Sequence, residues 1–122
     1  MTTPETTLLL IRHGETVWNR DMRFQGHGDS DLTPAGRIQT QALGRRLATA
    51  SFDRLISSDL GRARETAAII AGFTGHRVTT DPRLRERHYG VLEGLNIAEI
   101  RRDHAAVYER LITEDPDYVI PG

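Results

Sequence analysis

Leu8-Leu9-Leu10-Ile11-Arg12-His13-Gly14-Glu15-Thr16 is an apolar run that ends abruptly in an arginine, a histidine and a glycine. Four consecutive aliphatic residues suit a strand buried on both faces, which predicts a strand over 7–12. The order then sets a guanidinium and an imidazole at the carboxyl end of that strand, where open α/β sheets form their ligand crevices. Imidazole can attack phosphorus and hold the phosphoryl group covalently, and arginine presents a planar fork that matches phosphate oxygens. A lone histidine in such a place more often just ends a strand, so the weight falls on its neighbours and on the rest of the chain.

Downstream, a polar, glycine-rich loop spans 14–31. Thr33-Pro34 supplies an N-cap and a proline at the first helical position. Ala35, Ile38, Ala42, Leu43 and Leu47 then recur at helical spacing, predicting a helix to about Ala50 with those residues inward. A second strand is expected over 52–58, centred on Leu55-Ile56. A second helix comes next, from about Leu60 to Gly72, with Ala63, Thr66, Ala67, Ile70 and Ala71 on one face. Residues 77–80 read as a third strand and 83–95 as irregular. Ile97, Ile100, His104, Val107, Tyr108 and Leu111 mark a third amphipathic helix, and a loop closes the chain from Glu114 to Gly122.

This β-loop-α-β-α-β order predicts an α/β fold, a three-layer, doubly wound, mostly parallel sheet, in a single domain over 1–122. Three strands make a thin parallel sheet whose faces and edges want cover. The chain is therefore expected to be the N-terminal portion of such a domain, incomplete at its C-terminus. An exposed sheet edge also favours a homo-oligomer.

Sixteen basic against 17 acidic residues give a net charge of −1, which argues against nucleic acid or a membrane surface as partner. Any anion preference must come from local placement of arginines. The chain has no cysteine, which excludes thiolate-based phosphatase chemistry and a disulfide framework. With no basic leader region and an apolar run too short for a signal core or a membrane span, a cytoplasmic location is expected. His27, His76 and His104 lack metal-ligand spacing, so no metal is expected, and arginines make a cofactor unnecessary for neutralising phosphate.

Arg62 sits just after the second predicted strand, in Ser57-Ser58-Asp59-Leu60-Gly61-Arg62-Ala63, and with Arg12 forms a candidate phosphate clamp. A phosphomonoester's leaving oxygen needs a proton, which a carboxyl group can supply. Glu86 and Glu93 both qualify, and residue type alone does not separate them. Asn19, Gln25 and Gly26 belong to the loop after His13, where neutral amides and backbone donors can orient substrate or phosphate oxygens.

Taken in order, these segments resemble the histidine phosphatase superfamily, also called the phosphoglycerate mutase-like family. The resemblance rests on Arg12-His13-Gly14-Glu15-Thr16 with Trp18-Asn19, on Gln25 to Gly36, on Ser57 to Ala63, on Leu84 to Gly94 and on Asp117 to Gly122. It implies that His13 is the phosphoryl acceptor and Glu86 the proton donor, with Glu93 on a structural Glu-Gly position. The implied activity is hydrolysis of a small phosphorylated metabolite through a phosphohistidine. The alternative within the family is a cofactor-dependent phosphoglycerate mutase, which Glu86-Arg87-His88-Tyr89-Gly90 resembles. Two features favour the phosphatase: Ile97 stands where such mutases usually carry a lysine, and Gln25-Gly26-His27 is the form common among phosphatases. The family also uses a second histidine, in a strand-end setting that no remaining histidine here occupies. A non-catalytic module that binds inorganic phosphate or a phosphorylated ligand is the alternative of another class.

Overall fold

The computed structural model describes residues 3–113 and 115–122; Met1, Thr2 and Glu114, where the closing loop is expected to open, lie outside the described residues. Helix α1 (Val17–Arg20) is a single turn held by a reciprocal cap. The Thr16 hydroxyl accepts from the Asn19 N–H, and the Asn19 side chain accepts from the Thr16 N–H. Helix α2 (Pro34–Leu47) starts on Thr33, whose hydroxyl accepts from the Gly36 N–H. Strand β1 (Leu55–Ser57) leads into α3 (Gly61–Thr74), which Gly75 ends in the left-handed conformation at φ 77°. Strand β2 (Val78–Thr80) returns parallel to β1, with Leu55 opposite Val78 and Ser57 opposite Thr80. Short 3₁₀ turns at Pro82–Leu84 and Gly90–Leu92 precede α4 (Ile97–Asp103) and α5 (Ala105–Ile112).

The result is a mixed α/β fold around a small parallel sheet, with three departures from the sequence reading. First, residues 7–12 form no strand ladder, and Leu8 and Leu10 are 75 % and 92 % exposed. Their aliphatic side chains predicted burial, but a strand needs a neighbour to supply its hydrogen bonds, and among the described residues no segment pairs with this one. Second, the face that α2 buries is Gly36, Thr40, Gly44 and Leu47, while Ile38 is 66 % exposed. Close backbone approach, not aliphatic burial, sets the phase of this helix. A Cβ on Gly36 would strike the Glu15 backbone, a Cβ on Gly14 would lie 2.6 Å from the Gly36 carbonyl oxygen, and a Cβ on Gly44 would meet the Phe73 ring. Third, the expected single helix beyond residue 97 is two, separated at His104, whose φ of −139° leaves the helical region.

Two apolar clusters hold the elements. Leu47, Leu55 and Ile70 pack α2, β1 and α3 together. Leu92, Ile100 and Ile120 join the 90s segment, α4 and the C-terminal residues, with Phe24 and Tyr89 against them. The second cluster brings loop 23–27 beside 86–95, where the Phe24 N–H donates to the Leu95 carbonyl at 3.0 Å and the Gly94 N–H to the Phe24 carbonyl at 2.7 Å.

The glycine crossing is directly testable. Gly36→Ala should cost about 1–3 kcal/mol in urea unfolding, because the added methyl must displace backbone. Gly72→Ala, in α3 with nothing within 4 Å of its would-be Cβ, should instead stabilise by about 0.5–1 kcal/mol through helix propensity.

Candidate active site

Gly14 fixes the direction of His13. Its N–H donates to the Thr66 hydroxyl at 3.1 Å, and that hydroxyl donates in turn to the Arg62 carbonyl at 2.8 Å. The first turns of α3 thus anchor the backbone just beyond the imidazole. His13 is half-buried, and its Nδ1 lies 2.7 Å from the Gly14 carbonyl oxygen. A carbonyl only accepts, so Nδ1 carries the proton and Nε2 keeps its lone pair. Burial, more than any other cause, pushes the imidazole pKa below its ordinary value. The Gly14 bond opposes this, and the Arg62 and Arg12 guanidinium charges add to the lowering. The side chain is therefore held neutral, with one ring nitrogen able to act as a nucleophile.

Arg62 is the second residue of α3 and is only 3 % exposed. Its guanidinium is nearly saturated by protein acceptors. Nη1 donates to the Gly28 carbonyl at 2.6 Å and to Asp29 Oδ1 at 3.2 Å. Nη2 donates to the Gly26 carbonyl at 2.7 Å and to Glu86 Oε2 at 3.0 Å. Asp29 and Glu86 are the exposed members of this set, and of the two only Glu86 lines the cavity beside His13. The Glu86 carboxylate is thus the partner that an entering anion could replace.

A cavity of about 200 Å³ is lined by Arg12, His13, Asn19, Arg23, Phe24, Gln25, Glu86 and Tyr89. The Asn19 side-chain oxygen is committed to the α1 cap, and Gln25 Oε1 accepts from the Thr16 and Ser30 hydroxyls at 2.8 and 3.1 Å. Each amide therefore keeps its N–H₂ group for the cavity it lines. Phe24 and Tyr89 meet edge to face at 5.2 Å and form an aromatic wall. Arg23 is tied to Glu99 and to the Gly94 carbonyl, both at 2.7 Å. Among the described residues, Arg12 pairs with no carboxylate.

Of the residues singled out in the sequence, Arg12, His13, Asn19, Gln25 and Glu86 meet around this cavity, and Arg62 stands behind it through Glu86. Gly26 is buried with its carbonyl committed to Arg62, and at φ 57° its backbone is left-handed. Glu93, the rival carboxylate, faces away. Its Oε1 accepts from the His27 and Tyr89 N–H groups at 2.8 and 3.1 Å, so it binds two loops together. Asp29, Thr66, Arg23 and Phe24 were not picked out from sequence. Nothing in local patterning distinguishes an arginine's distant acceptor or a glycine's distant hydroxyl. Among the described residues there is no cluster of three or more histidines and carboxylates suited to a metal, and no helix long and apolar enough to cross a membrane.

Comparison with known proteins places this geometry. The family model described as histidine phosphatase superfamily (branch 1) matches residues 8–122. A Salmonella choleraesuis protein named probable phosphoglycerate mutase GpmB is 43% identical over 113 residues, covering 93% of this chain and 53% of its own length. Its Proteus mirabilis namesake is 47% identical over 112 residues, covering 92% and 52%. Among solved structures, the Shigella flexneri alpha-ribazole phosphatase superposes with a TM-score of 0.81 at 33% identity, covering 91% of this chain and 55% of that one. A mycobacterial glucosyl-3-phosphoglycerate phosphatase, solved with vanadate, gives a TM-score of 0.78 at 37% identity, covering 89% and 51%. The chain thus spans about half the length of the curated relatives it matches.

The His13 environment predicts a titration. Its midpoint, followed by NMR of the ring, should fall below the ordinary value of about 6.5, so that the imidazole is neutral at pH 7. Arg12→Ala removes one repelling charge and should move that midpoint upward.

Proposed function

The chain belongs to the histidine phosphatase superfamily, and from this we propose that it hydrolyses a small phosphomonoester through a phosphohistidine on His13. The observation that carries the proposal is the His13 ring: Nδ1 tied to the Gly14 carbonyl, and the imidazole held neutral by burial beside two guanidinium groups. The phosphoryl group would enter against Arg12 and the Arg62–Glu86 pair. His13 Nε2 attacks phosphorus, a P–N bond forms and the P–O ester bond breaks. The departing oxygen takes its proton from Glu86 in the acid form. Water then attacks the phosphohistidine and gives its proton to the Glu86 carboxylate. The P–N bond breaks, inorganic phosphate leaves, and both groups are restored.

A phosphoglycerate mutase is the second reading, favoured by the names of relatives 43% and 47% identical. Charge placement supports hydrolysis over it. Phosphoglycerate carries a carboxylate besides its phosphate, yet the cavity's remaining arginine, Arg23, is already matched by Glu99. Beyond the phosphate position the wall is aromatic and amide in character, which suits a neutral leaving group. The solved neighbours named phosphatases, one of them holding vanadate, support the same choice.

The test is to incubate the protein with a phosphomonoester, quench, and measure intact mass. An acid-labile phosphoryl adduct, lost in His13→Asn, and release of inorganic phosphate are expected. Transfer to a second glycerate position with little free phosphate would establish the mutase. Saturable phosphate binding that survives His13→Asn, with no adduct formed, would show a binding module. Glu86→Gln should slow turnover of an alkyl phosphate about 10²–10⁴-fold, the usual range for a positioned general acid.

A further inference from the structure

The segment that carries Glu86 has little backbone support. Among the described residues, none of the main-chain N–H or C=O groups of 86–88 has a backbone hydrogen-bond partner, and the stretch is exposed. What holds it are side chains. Arg87 donates to the Tyr118 carbonyl at 2.6 Å, on the side of the second apolar cluster. Arg85, immediately before Glu86, makes a two-pronged bond to Asp59: Nε to Oδ1 at 2.7 Å and Nη2 to Oδ2 at 2.6 Å.

Asp59 occupies the turn between β1 and α3, two residues before the first residue of α3 and three before Arg62. That turn is already determined from elsewhere. The Asp81 N–H donates to the Ser57 carbonyl at 2.9 Å, the Leu60 N–H to the Ser58 hydroxyl at 3.2 Å, and the Arg62 N–H to Asp29 at 3.3 Å. Arg85 therefore grips a fixed point. The pair is 37 % and 28 % exposed on its two sides, and its fork-to-fork geometry is the arrangement in which a surface ion pair confers orientation.

We propose that Arg85 and Asp59 are positioning residues for the general acid: their clamp fixes Glu86 relative to Arg62 and the phosphoryl site. This rests on the hydrolase reading above, in which Glu86 protonates the leaving oxygen. Neither residue lines the cavity, so their contribution is confined to where Glu86 stands. Arg62 alone does not settle that position, because an incoming phosphoryl group competes with Glu86 for the same guanidinium edge. The clamp keeps the carboxyl beside the ester oxygen once that bond is shared or lost. A misplacement of about 1 Å can cost on the order of 10²-fold in rate.

Leaving-group chemistry isolates this role. p-Nitrophenyl phosphate departs as a stable phenolate and needs no proton, whereas glycerol phosphate departs as an alkoxide and does. In Arg85→Ala and Asp59→Ala, the single-turnover rate of phosphohistidine formation from glycerol phosphate, which precedes the water attack that Glu86 also serves, is expected to fall about 10–100-fold. The same rate from p-nitrophenyl phosphate should stay within about twofold, with substrate affinity unchanged for both, since phosphate binding is untouched. Arg85→Lys should rescue only in part, because an ammonium cannot form the fork. Equal losses on both substrates, or none, would overturn the clamp. Backbone ¹⁵N order parameters over 86–88 give a second readout that needs no turnover. They should drop in both alanine variants relative to the unaltered chain, and unchanged values would equally overturn it. A protein that forms no phosphohistidine with either substrate refutes the hydrolase reading instead, and the order parameters then decide whether the clamp exists.

Discussion

One buried guanidinium organises this molecule. Arg62 leaves water at the start of α3 and is repaid only by a full set of acceptors from two loops: Gly26, Gly28, Asp29 and Glu86. A buried charge with a partner missing is strongly destabilising, whereas one fully hydrogen-bonded specifies a geometry. Loop 26–29 must therefore fold over α3, and the 86 segment must come to meet it. Of the residues that satisfy Arg62, Glu86 lines the cavity beside His13, and Gly26 directly follows the lining residues Phe24 and Gln25.

The same charge acts on His13, the proposed nucleophile, through space. Together with Arg12 it disfavours a proton on His13, adding to the larger effect of burial. The thread from α3 to His13 continues through Thr66, which binds the Arg62 carbonyl and the Gly14 N–H at once. On the other side, Gly14 and Gly36 let α2 approach the His13 turn more closely than any side chain would permit. Structural glycine and proposed phosphoryl acceptor are thus neighbours for one reason. The turn that exposes the ring must also pack tightly behind it.

Much of this was readable along the chain where the cause is local. Thr33-Pro34, the α3 start expected near Leu60 and its end expected near Gly72, and the apolar centre of β1 mark their elements within a residue or three, because caps and short apolar runs act over that range. The phase of α2 was not readable. Ala35, Ile38 and Ala42 form a plausible apolar stripe, but contact with the Glu15 backbone and the Phe73 ring rewards glycine instead. The Leu8–Ile11 run is apolar enough for a buried strand, yet strandedness belongs to a pair of segments and not to one. Helix α1 was hidden in a polar loop because its single turn is held by the Thr16–Asn19 cap rather than by an apolar face.

Residue type and order by themselves determined the chemistry this chain can offer: a histidine flanked by a permanent cation, a second arginine at a helix start, carboxylates in a later loop, and no thiol. These arise from covalent chemistry and short-range spacing, and they carry the likeness to the family. Residue type left Glu86 and Glu93 level, with only the family resemblance separating them; the tertiary structure sets Glu86 against Arg62 at the cavity and engages Glu93 in bracing two loops. It alone brought Asp29 to Arg62, Thr66 to Gly14, and Arg85 to Asp59. The physical reason is range. A side chain's ordinary chemistry is set by its own atoms, but its task is set by partners 24 to 52 residues away, which only folding brings within hydrogen-bond distance.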